Sequence, residues 1–168
     1  MSVIKVVLFD LGDTLVVEEE IQDRHLQEVK LQKVPYVDHV LYELRKQYRL
    51  GIVTNTTTSG EEQVRIALKK IGIELYFDVI VTSVDVGYEK PHEKIFLTAL
   101  RKLGVKPNEA VMVGNRISKD VLGANKLGMT SILYKWNERY SDKITSNLEK
   151  PDCTIKSLSE ILPTLSNM

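Results

Sequence analysis

Several polar side chains that could bind a phosphoryl group and a divalent cation follow short apolar runs in this sequence of 168 residues. The first run, Val6–Phe9, ends at the carboxylate of Asp10, and later runs lead to hydroxyl, amine and amide groups. Carboxylate and amide oxygens suit Mg²⁺, while ammonium and hydroxyl groups bind phosphate oxygens. The complete set is Asp10, Asp13, Thr54, Asn55, Lys90, Asn115 and Asp120. These residue types predict a site for a phosphoryl group beside a cation, provided that the fold brings them together.

The apolar runs themselves have the composition of strands that are buried on both faces of a parallel sheet. They are short, rich in Val, Ile and Leu, and end abruptly in polar or glycine residues. The predicted strands cover Val6–Phe9, residues 50–53, 77–81 and 110–113, and Thr130–Tyr134, with a further short strand offered by Cys153–Ile155.

Helical patterns separate these predicted strands. Val37, Val40, Leu41 and Leu44 have the spacing of one apolar helix face, and similar patterns recur at residues 64–71, 95–103, 121–127 and 157–165. This alternation predicts a doubly wound α/β fold, in which a parallel sheet of five to six strands lies between two layers of helices. Because parallel strands end at the same edge of a sheet, we expect the polar set to converge there.

The composition narrows the partners and the compartment. The 23 basic and 23 acidic residues give zero net charge, which leaves no overall electrostatic footprint for nucleic acid or an anionic membrane. A single cysteine, Cys153, permits no internal disulfide. No apolar stretch approaches the roughly 20 residues that cross a bilayer, and no signal peptide precedes the first predicted strand. We therefore expect one soluble cytoplasmic domain that covers residues 1–168.

Four motifs, in order along the chain, resemble those of the haloacid dehalogenase superfamily of aspartate-nucleophile hydrolases, most of which are magnesium-dependent phosphatases. The first is F-D-L-G-D-T-L at residues 9–15, and the second is I-V-T-N at residues 52–55. The third is G-Y-E-K-P-H-E-K-I-F at residues 87–96. The fourth is V-G-N-R-I-S-K-D at residues 113–120, followed by G-A-N-K-L-G-M at residues 123–129. The resemblance covers most of the chain and places each motif at the end of a predicted strand.

The resemblance implies a role for each residue of the polar set. Asp10 would attack phosphorus and form an aspartyl-phosphate, which divides one difficult hydrolysis into two displacements. Thr54, Asn55 and Lys90 would hold the phosphoryl group, and Lys90 would also neutralise Asp10. The implied ligands of Mg²⁺ are Asp10, the backbone carbonyl of Gly12, Asn115 and Asp120.

Two residues depart from the family's pattern. The family usually has a second aspartate two positions after the nucleophile, which donates a proton to the leaving group and later accepts one from water. That position is Gly12 here, and Asp13, one residue further along, is the candidate replacement. The second departure is Asn115, which stands where the family usually has aspartate. A neutral amide contributes less negative charge, so we expect weaker binding of Mg²⁺.

The chain has room for only a small cap over the site. Residues 16–35 are the one segment available before the helix that leads into the second predicted strand, and its charged stretch around Glu18 and Arg24 is the expected partial lid. The site should therefore be rather open. It could accept a phosphorylated small molecule or a phosphoryl group exposed on a larger substrate, or a second subunit of a homo-oligomer could close it.

The sequence leaves two further functions open. The replacements at Gly12 and Asn115 would also fit a catalytically degraded module that binds a phosphorylated ligand or a protein. Metal-independent hydrolysis of carbon–halogen bonds is another alternative, because dehalogenases of the superfamily also lack the second aspartate. Asp120 and the phosphatase-like third motif favour a phosphatase over a dehalogenase.

Overall fold

The computed structural model describes residues 3–18 and 24–168, and within them six parallel strands form one sheet in the order β3-β2-β1-β4-β5-β6. The strands are β1 (Val6–Phe9), β2 (Arg49–Thr54), β3 (Val79–Thr82), β4 (Ala110–Gly114), β5 (Thr130–Tyr134) and β6 (Cys153–Ile155). The predicted doubly wound α/β fold is confirmed. Across these same residues, no helix combines the length and the hydrophobicity needed to cross a lipid bilayer.

Helices cover both faces of the sheet because strands β1 to β4 are largely apolar and buried on both sides. The helices are α1 (Val37–Arg45), α2 (Glu61–Lys70), α3 (Ser83–Val86), α4 (Glu93–Leu103), α5 (Leu122–Leu127) and α6 (Ile161–Ser166). Residues of α1, α2 and α6 pack with one face of the sheet, and residues of α4 and α5 pack with the other. Two hydrophobic cores therefore hold the sheet rigidly between helical layers.

The register of the central strands explains why the polar set meets at one edge. Phe9, the last residue of β1, lies opposite Ile52 of β2 and Val113 of β4. The backbone amide of Asp10 then donates to the carbonyl oxygen of Val113 at 2.9 Å, so Asp10 continues the line of β1 as the strand ends. Residues that directly follow β1, β2 and β4 are consequently neighbours in space.

The structure adjusts several predicted boundaries. Strand β3 begins at Val79, two residues later than predicted, because the Phe77 amide donates to the Glu74 carbonyl oxygen and closes a 3-10 turn before the strand. Helix α4 begins two residues after Pro91, with the Nδ1 atom of His92 accepting a hydrogen bond at the helix N-terminus. The four-residue helix α3 and a π-helical turn, Ile117–Val121, were absent from the prediction. The π-helical turn carries one of the predicted site residues.

Candidate functional site

A cleft of about 200 Å³ lies at the carboxyl edge of the sheet, with Asp10 among its lining residues. Only 8% of Asp10 is exposed, so its carboxylate is accessible from the cleft but otherwise enclosed. The lining residues also include Gly12, Thr54, Asn55 and Lys90, which the sequence predicted to belong to the site. The sheet thus places a carboxylate, a hydroxyl and an ammonium group around one small cavity.

The ammonium group of Lys90 joins three parts of the fold at the base of this cleft. Its Nζ atom donates to Asp10 Oδ1 at 2.9 Å, to Asp120 Oδ1 at 2.7 Å and to the carbonyl oxygen of Val53 at 2.7 Å. These bonds use all three donors of the ammonium group. Burial alone would lower the pKa of Lys90, but the two carboxylates outweigh it and raise the pKa above its ordinary value. Lys90 is therefore a permanent positive charge beside Asp10.

Asn55 fixes the backbone that carries Lys90. Its side-chain Oδ1 accepts from the Lys90 amide at 2.8 Å, and its Nδ2 donates to the Lys90 carbonyl oxygen at 3.2 Å. The sequence prediction gave Asn55 a direct contact with phosphate, but both ends of its amide are engaged with Lys90. The structure therefore supports a positioning role for the Asn55 side chain.

Thr54 lines the cleft at the end of β2 and is 3% exposed. The loop that follows it is held by hydrogen bonds at two points. The Thr56 amide donates to Ser83 Oγ at 2.9 Å, and the Thr56 hydroxyl donates to the Ser59 carbonyl oxygen at 2.6 Å. These contacts give the polar wall next to Thr54 a fixed shape.

Asp120 lies behind Lys90 and is almost fully buried. Its Oδ1 accepts from Lys90, and its Oδ2 accepts from the Arg116 backbone amide at 3.0 Å, inside the π-helical turn. Burial raises the pKa of Asp120 to about 6, even though the Lys90 charge opposes this shift. Such close packing requires glycine at position 114, since a Cβ atom there would lie 2.3 Å from Asp120 Cγ.

Three polar atoms converge on the other side of Asp10 in a way that suits a metal ion. One terminal atom of the Asn115 amide lies 3.1 Å from Asp10 Oδ2 and 3.3 Å from the Gly12 carbonyl oxygen. If nitrogen occupies this position, it donates to both oxygens, whereas the amide oxygen would complete a cluster of three oxygens around a cation. Neighbouring oxygens bound octahedrally to Mg²⁺ at about 2.1 Å lie about 3 Å apart. The spacing therefore fits Mg²⁺.

The atoms that could bind a cation here come from three different chemical groups. Within residues 3–18 and 24–168, no three acidic, histidine or cysteine side chains group together as a metal centre. The fit instead depends on a carboxylate, an amide and a backbone carbonyl. Both oxygens of Asp120 already have a hydrogen-bond partner, so Asp120 would reach a cation through remaining lone pairs or through water.

Asp13 does not occupy the position that the sequence left open to it. The chain turns sharply there with φ of 50°, and the fully buried carboxylate accepts from the Glu18 amide and from Arg139 Nε. It is also absent from the residues that line the cleft. Because the carboxylate is fully buried and does not line the cleft, Asp13 is not placed to transfer a proton at Asp10.

The cleft contains charged residues that the sequence analysis did not assign to the site. Lys119 lies in the π-helical turn, and Arg116 directly precedes it. Glu18 and Arg24 lie in the segment between β1 and α1. Arg116 directly follows Asn115 in the fourth motif, which is a signal that could have identified it. Glu18 and Arg24 belong to the charged stretch that the sequence predicts as a partial lid, and neither adjoins a residue of the four motifs that was assigned to the site.

The predicted lid is described in part. Residues 19–23 of the segment 16–35 lie outside the described residues. Of the remainder, Val16 forms an antiparallel bridge with Lys33, and the Leu26 amide donates to Ser59 Oγ at 2.9 Å. Leu26 and Leu31 also line the cleft. The described part thus lies against the polar wall that follows Thr54.

Comparison with known proteins identifies the family of this chain. Residues 13–134 match the model of the haloacid dehalogenase-like hydrolase family. A glyceraldehyde 3-phosphate phosphatase of Methanothermobacter thermautotrophicus is 37% identical over 132 residues, which are 78% of this chain and 56% of that relative. The pyrophosphatase PpaX of Bacillus cereus is 35% identical over 87% of this chain and 64% of its own length. The chain therefore spans between half and two thirds of the length of these two curated relatives.

A solved structure matches over a larger share of its own length. The crystal structure of a HAD phosphatase from Thermococcus onnurineus aligns with a TM-score of 0.79 at 29% identity, over 96% of this chain and 98% of that one. The family model covers well over half of the present sequence. The chain belongs to the haloacid dehalogenase-like hydrolase family.

Proposed function

We propose that this protein hydrolyses a phosphate monoester of a small molecule by forming an aspartyl-phosphate on Asp10. The observation that carries the proposal is the arrangement around Asp10. One carboxylate oxygen is held by Lys90, while the other lies in the group of polar atoms formed with Gly12 and Asn115. The carboxylate is therefore oriented and charge-compensated beside a cleft that can hold a phosphoryl group.

The proposed first step is attack of Asp10 on phosphorus. The hydrogen bond from Lys90 fixes the rotamer of Asp10, and the ammonium charge offsets the negative charge that collects as the phosphoryl group approaches. Thr54, at the cleft wall, would donate a hydrogen bond from its hydroxyl to a phosphoryl oxygen. Asn55 contributes indirectly, because it holds the backbone of Lys90 in place.

The residues that would hold Mg²⁺ are Asp10, Gly12 through its carbonyl, Asn115 and Asp120. When bound there, Mg²⁺ would supply positive charge to the phosphoryl oxygens and so lower the repulsion between phosphate and carboxylate. The family's phosphatases generally use this ion, and the oxygen spacing beside Asp10 supports the same requirement in this chain.

Replacing Asn115 with aspartate should strengthen Mg²⁺ binding. The substitution adds one negative charge within about 3 Å of Asp10 Oδ2. The added charge attracts a bound cation, but without the cation the two carboxylates repel each other. We expect a several-fold lower Mg²⁺ concentration at half-maximal activity and a variant that is less stable than wild type without metal. Titration of activity and of the unfolding temperature with Mg²⁺ measures both effects. Equal Mg²⁺ dependence in the two proteins would contradict the assignment of Asn115.

Gly114→Ala should reduce activity by displacing Asp120 from Lys90. The new methyl group would lie 2.3 Å from Asp120 Cγ, so the carboxylate must move, at a cost of about 1–3 kcal/mol in stability. Gly104→Ala is the control, because Gly104 has a positive φ of 63° but no atom within 4 Å of the added methyl group. Both variants should unfold at lower temperature, but only Gly114→Ala should lose turnover well below that temperature. Full activity in Gly114→Ala would mean that Asp120 does not support the site.

The cleft favours a small substrate that carries negative charge. Its volume of about 200 Å³ accommodates a phosphoryl group and a few further atoms, and Arg24, Arg116 and Lys119 add positive charge to its walls. The relatives named above act on glyceraldehyde 3-phosphate and pyrophosphate, both small phosphorylated molecules, according to their names.

Three expectations from the sequence remain predictions. They are closure of the cleft by a second subunit, the role of residues 16–35 as a cap, and a cytoplasmic location.

A direct assay separates this function from its alternatives. The purified protein should hydrolyse an aryl phosphate and a panel of small phosphate monoesters with added Mg²⁺, and a chelator should abolish the activity. Turnover of a 2-haloacid that persists in the chelator would instead indicate a dehalogenase. Binding of phosphorylated ligands without any turnover would indicate a degraded binding module and would overturn the proposal.

A further inference from the structure

The space above Gly12 is filled by a side chain that comes from further along the chain. A Cβ atom placed on Gly12 would lie 3.3 Å from Glu18 Cγ, 3.4 Å from Glu18 Cβ and 3.5 Å from Glu18 Cδ. Glu18 therefore runs across the position that a side chain at residue 12 would take. Gly12 and Glu18 both line the cleft that contains Asp10. The absence of a side chain at residue 12 thus brings a carboxylate to the wall of the cleft.

Contacts on several sides hold Glu18 in this place. The hydroxyl of Tyr140 lies 2.7 Å and 2.8 Å from the two carboxylate oxygens and donates to them. The Glu18 amide donates to Asp13 Oδ1 at 2.8 Å, and its carbonyl oxygen accepts from Arg139 Nη2 at 3.2 Å. These bonds fix both the backbone and the carboxylate of Glu18.

Tyr140 is suited to be a lasting donor to this carboxylate. Burial and the hydrogen bond to Glu18 raise the pKa of Tyr140 to about 12, so its phenol keeps its proton at neutral pH. The guanidinium carbon of Arg116 lies 4.2 Å from the centre of the Tyr140 ring, which anchors the ring at the cleft wall. Tyr140 is thus a positioning residue for Glu18.

The charged side chains that line the cleft differ in the chemical role that each can take. Among the described lining residues these are Asp10, Glu18, Arg24, Lys90, Arg116 and Lys119. Asp10 is the nucleophile in the proposed function, and Lys90 uses its three donors within the protein. The guanidinium and ammonium groups of Arg24, Arg116 and Lys119 carry hydrogen-bond donors and no acceptor, so they suit the oxygens of a phosphoryl group. Besides Asp10, Glu18 is the one carboxylate in this described lining.

We propose that Glu18 is the general acid and base of the reaction that starts at Asp10, an inference that depends on the proposed function. In the first step Asp10 bonds to phosphorus, the bond between phosphorus and the ester oxygen breaks, and that oxygen takes its proton from the Glu18 carboxyl group. In the second step water bonds to phosphorus and gives a proton to the Glu18 carboxylate. The bond between phosphorus and Asp10 then breaks, and its electron pair returns to the aspartate. The products are an alcohol and phosphate, and both carboxyl groups are regenerated.

This role makes the effect of a substitution depend on the leaving group. An alkoxide is a poor leaving group and needs a proton, so loss of the acid should slow an alkyl phosphate by about 10²–10⁴-fold. A nitrophenolate leaves readily without a proton, so the first step with an aryl phosphate should be nearly unaffected. The second step needs the base with either substrate. Aspartyl-phosphate should therefore accumulate when an aryl phosphate is used without Glu18.

The test compares wild type, Glu18→Gln and Glu138→Gln with para-nitrophenyl phosphate and glycerol phosphate in saturating Mg²⁺. Glu138 is the matched control, because its side chain is 90% exposed and lies near Tyr140 in sequence, outside the cleft lining. Glu18→Gln keeps the size of the side chain and can still accept a hydrogen bond from Tyr140. Rapid mixing measures the release of nitrophenol in the first turnover, and intact-protein mass spectrometry measures bound phosphoryl.

In Glu18→Gln we expect a burst of about one nitrophenol per protein, within about fivefold of the wild-type rate, followed by slow turnover. The mass of one phosphoryl group should be found on this variant, and glycerol phosphate turnover should fall by about 10²–10⁴-fold. Glu138→Gln should behave as wild type does. Wild-type kinetics in Glu18→Gln, or an equal loss with both substrates and no burst, would overturn the role of Glu18. Failure of wild type to turn over either ester would instead overturn the proposed function itself.

Discussion

Asp10→Asn should lower phosphate ester hydrolysis by about 10⁴-fold or more, while the protein stays folded. The amide cannot form the acyl phosphate, but its oxygen can still accept the hydrogen bond that Asp10 Oδ1 now accepts from Lys90. Asp120 continues to pair with the Lys90 charge, so the variant keeps its core arrangement. Steady-state turnover of an aryl phosphate measures the effect, and circular dichroism confirms the fold.

Asp38→Asn is the matched control for this experiment. Asp38 lies in the first turn of α1, and its side chain is 62% exposed in a surface ion pair with Lys33. The same chemical change there should leave turnover within about twofold of wild type, because exposed ion pairs contribute little. If Asp10→Asn retained substantial activity, a nucleophile other than Asp10 would have to be sought, and the mechanism proposed here would be wrong.

Lys90→Met should reduce stability by about 3–5 kcal/mol and remove activity. Methionine fills a similar volume but leaves the carboxylates of Asp10 and Asp120 close together without the ammonium group between them. Lys90 is 2% exposed, so water cannot replace the lost charge without opening the site. Equilibrium unfolding in urea gives the free energy, and the aryl phosphate assay gives the turnover.

Lys46→Met separates this effect from a general cost of removing lysine. Lys46 pairs with Glu43 at the surface of the protein, at 2.7 Å, where solvent screens the interaction. We expect no measurable change in unfolding or turnover for this variant. A Lys90→Met protein as stable as Lys46→Met would show that the two carboxylates do not depend on Lys90.

The sequence was sufficient for those parts of the site that follow from strand order. Asp10, Thr54 and Asn115 directly follow or end strands whose apolar composition is plain, and parallel pairing then makes them neighbours. Lys90 is less direct, because it follows a short helix after β3, yet its motif placed it correctly in the cleft. A strand end is a strong constraint because the sheet register fixes it to within one residue.

Two of the predicted site residues, Asp13 and Asn55, have side chains that are engaged by distant parts of the chain. Asp13 is close to Asp10 in sequence, but Arg139, 126 residues away, binds its carboxylate. Asn55 looked like a phosphate ligand, but it binds the backbone of Lys90, 35 residues further on. Such contacts depend on where loops meet after the core has formed, and no local pattern records them.

Glu18 illustrates the same limit from the opposite direction. Its place in the cleft depends on the lack of a side chain at Gly12 and on a tyrosine 122 residues further along the chain. From the sequence alone, Gly12 indicates the loss of a catalytic group, and Glu18 is predicted to belong to a lid. Only the folded chain relates these two positions to each other.

The central claim is that Asp10 becomes covalently phosphorylated, and trapping that species tests it most directly. Wild-type protein is mixed with an aryl phosphate and Mg²⁺, quenched in acid within the first turnover, and digested for peptide mapping by mass spectrometry. The account predicts one phosphoryl group on the peptide that contains Asp10, and none on the same peptide from Asp10→Asn. Rapid hydrolysis with no phosphoryl group on that peptide, or with the group attached to another residue, would contradict it.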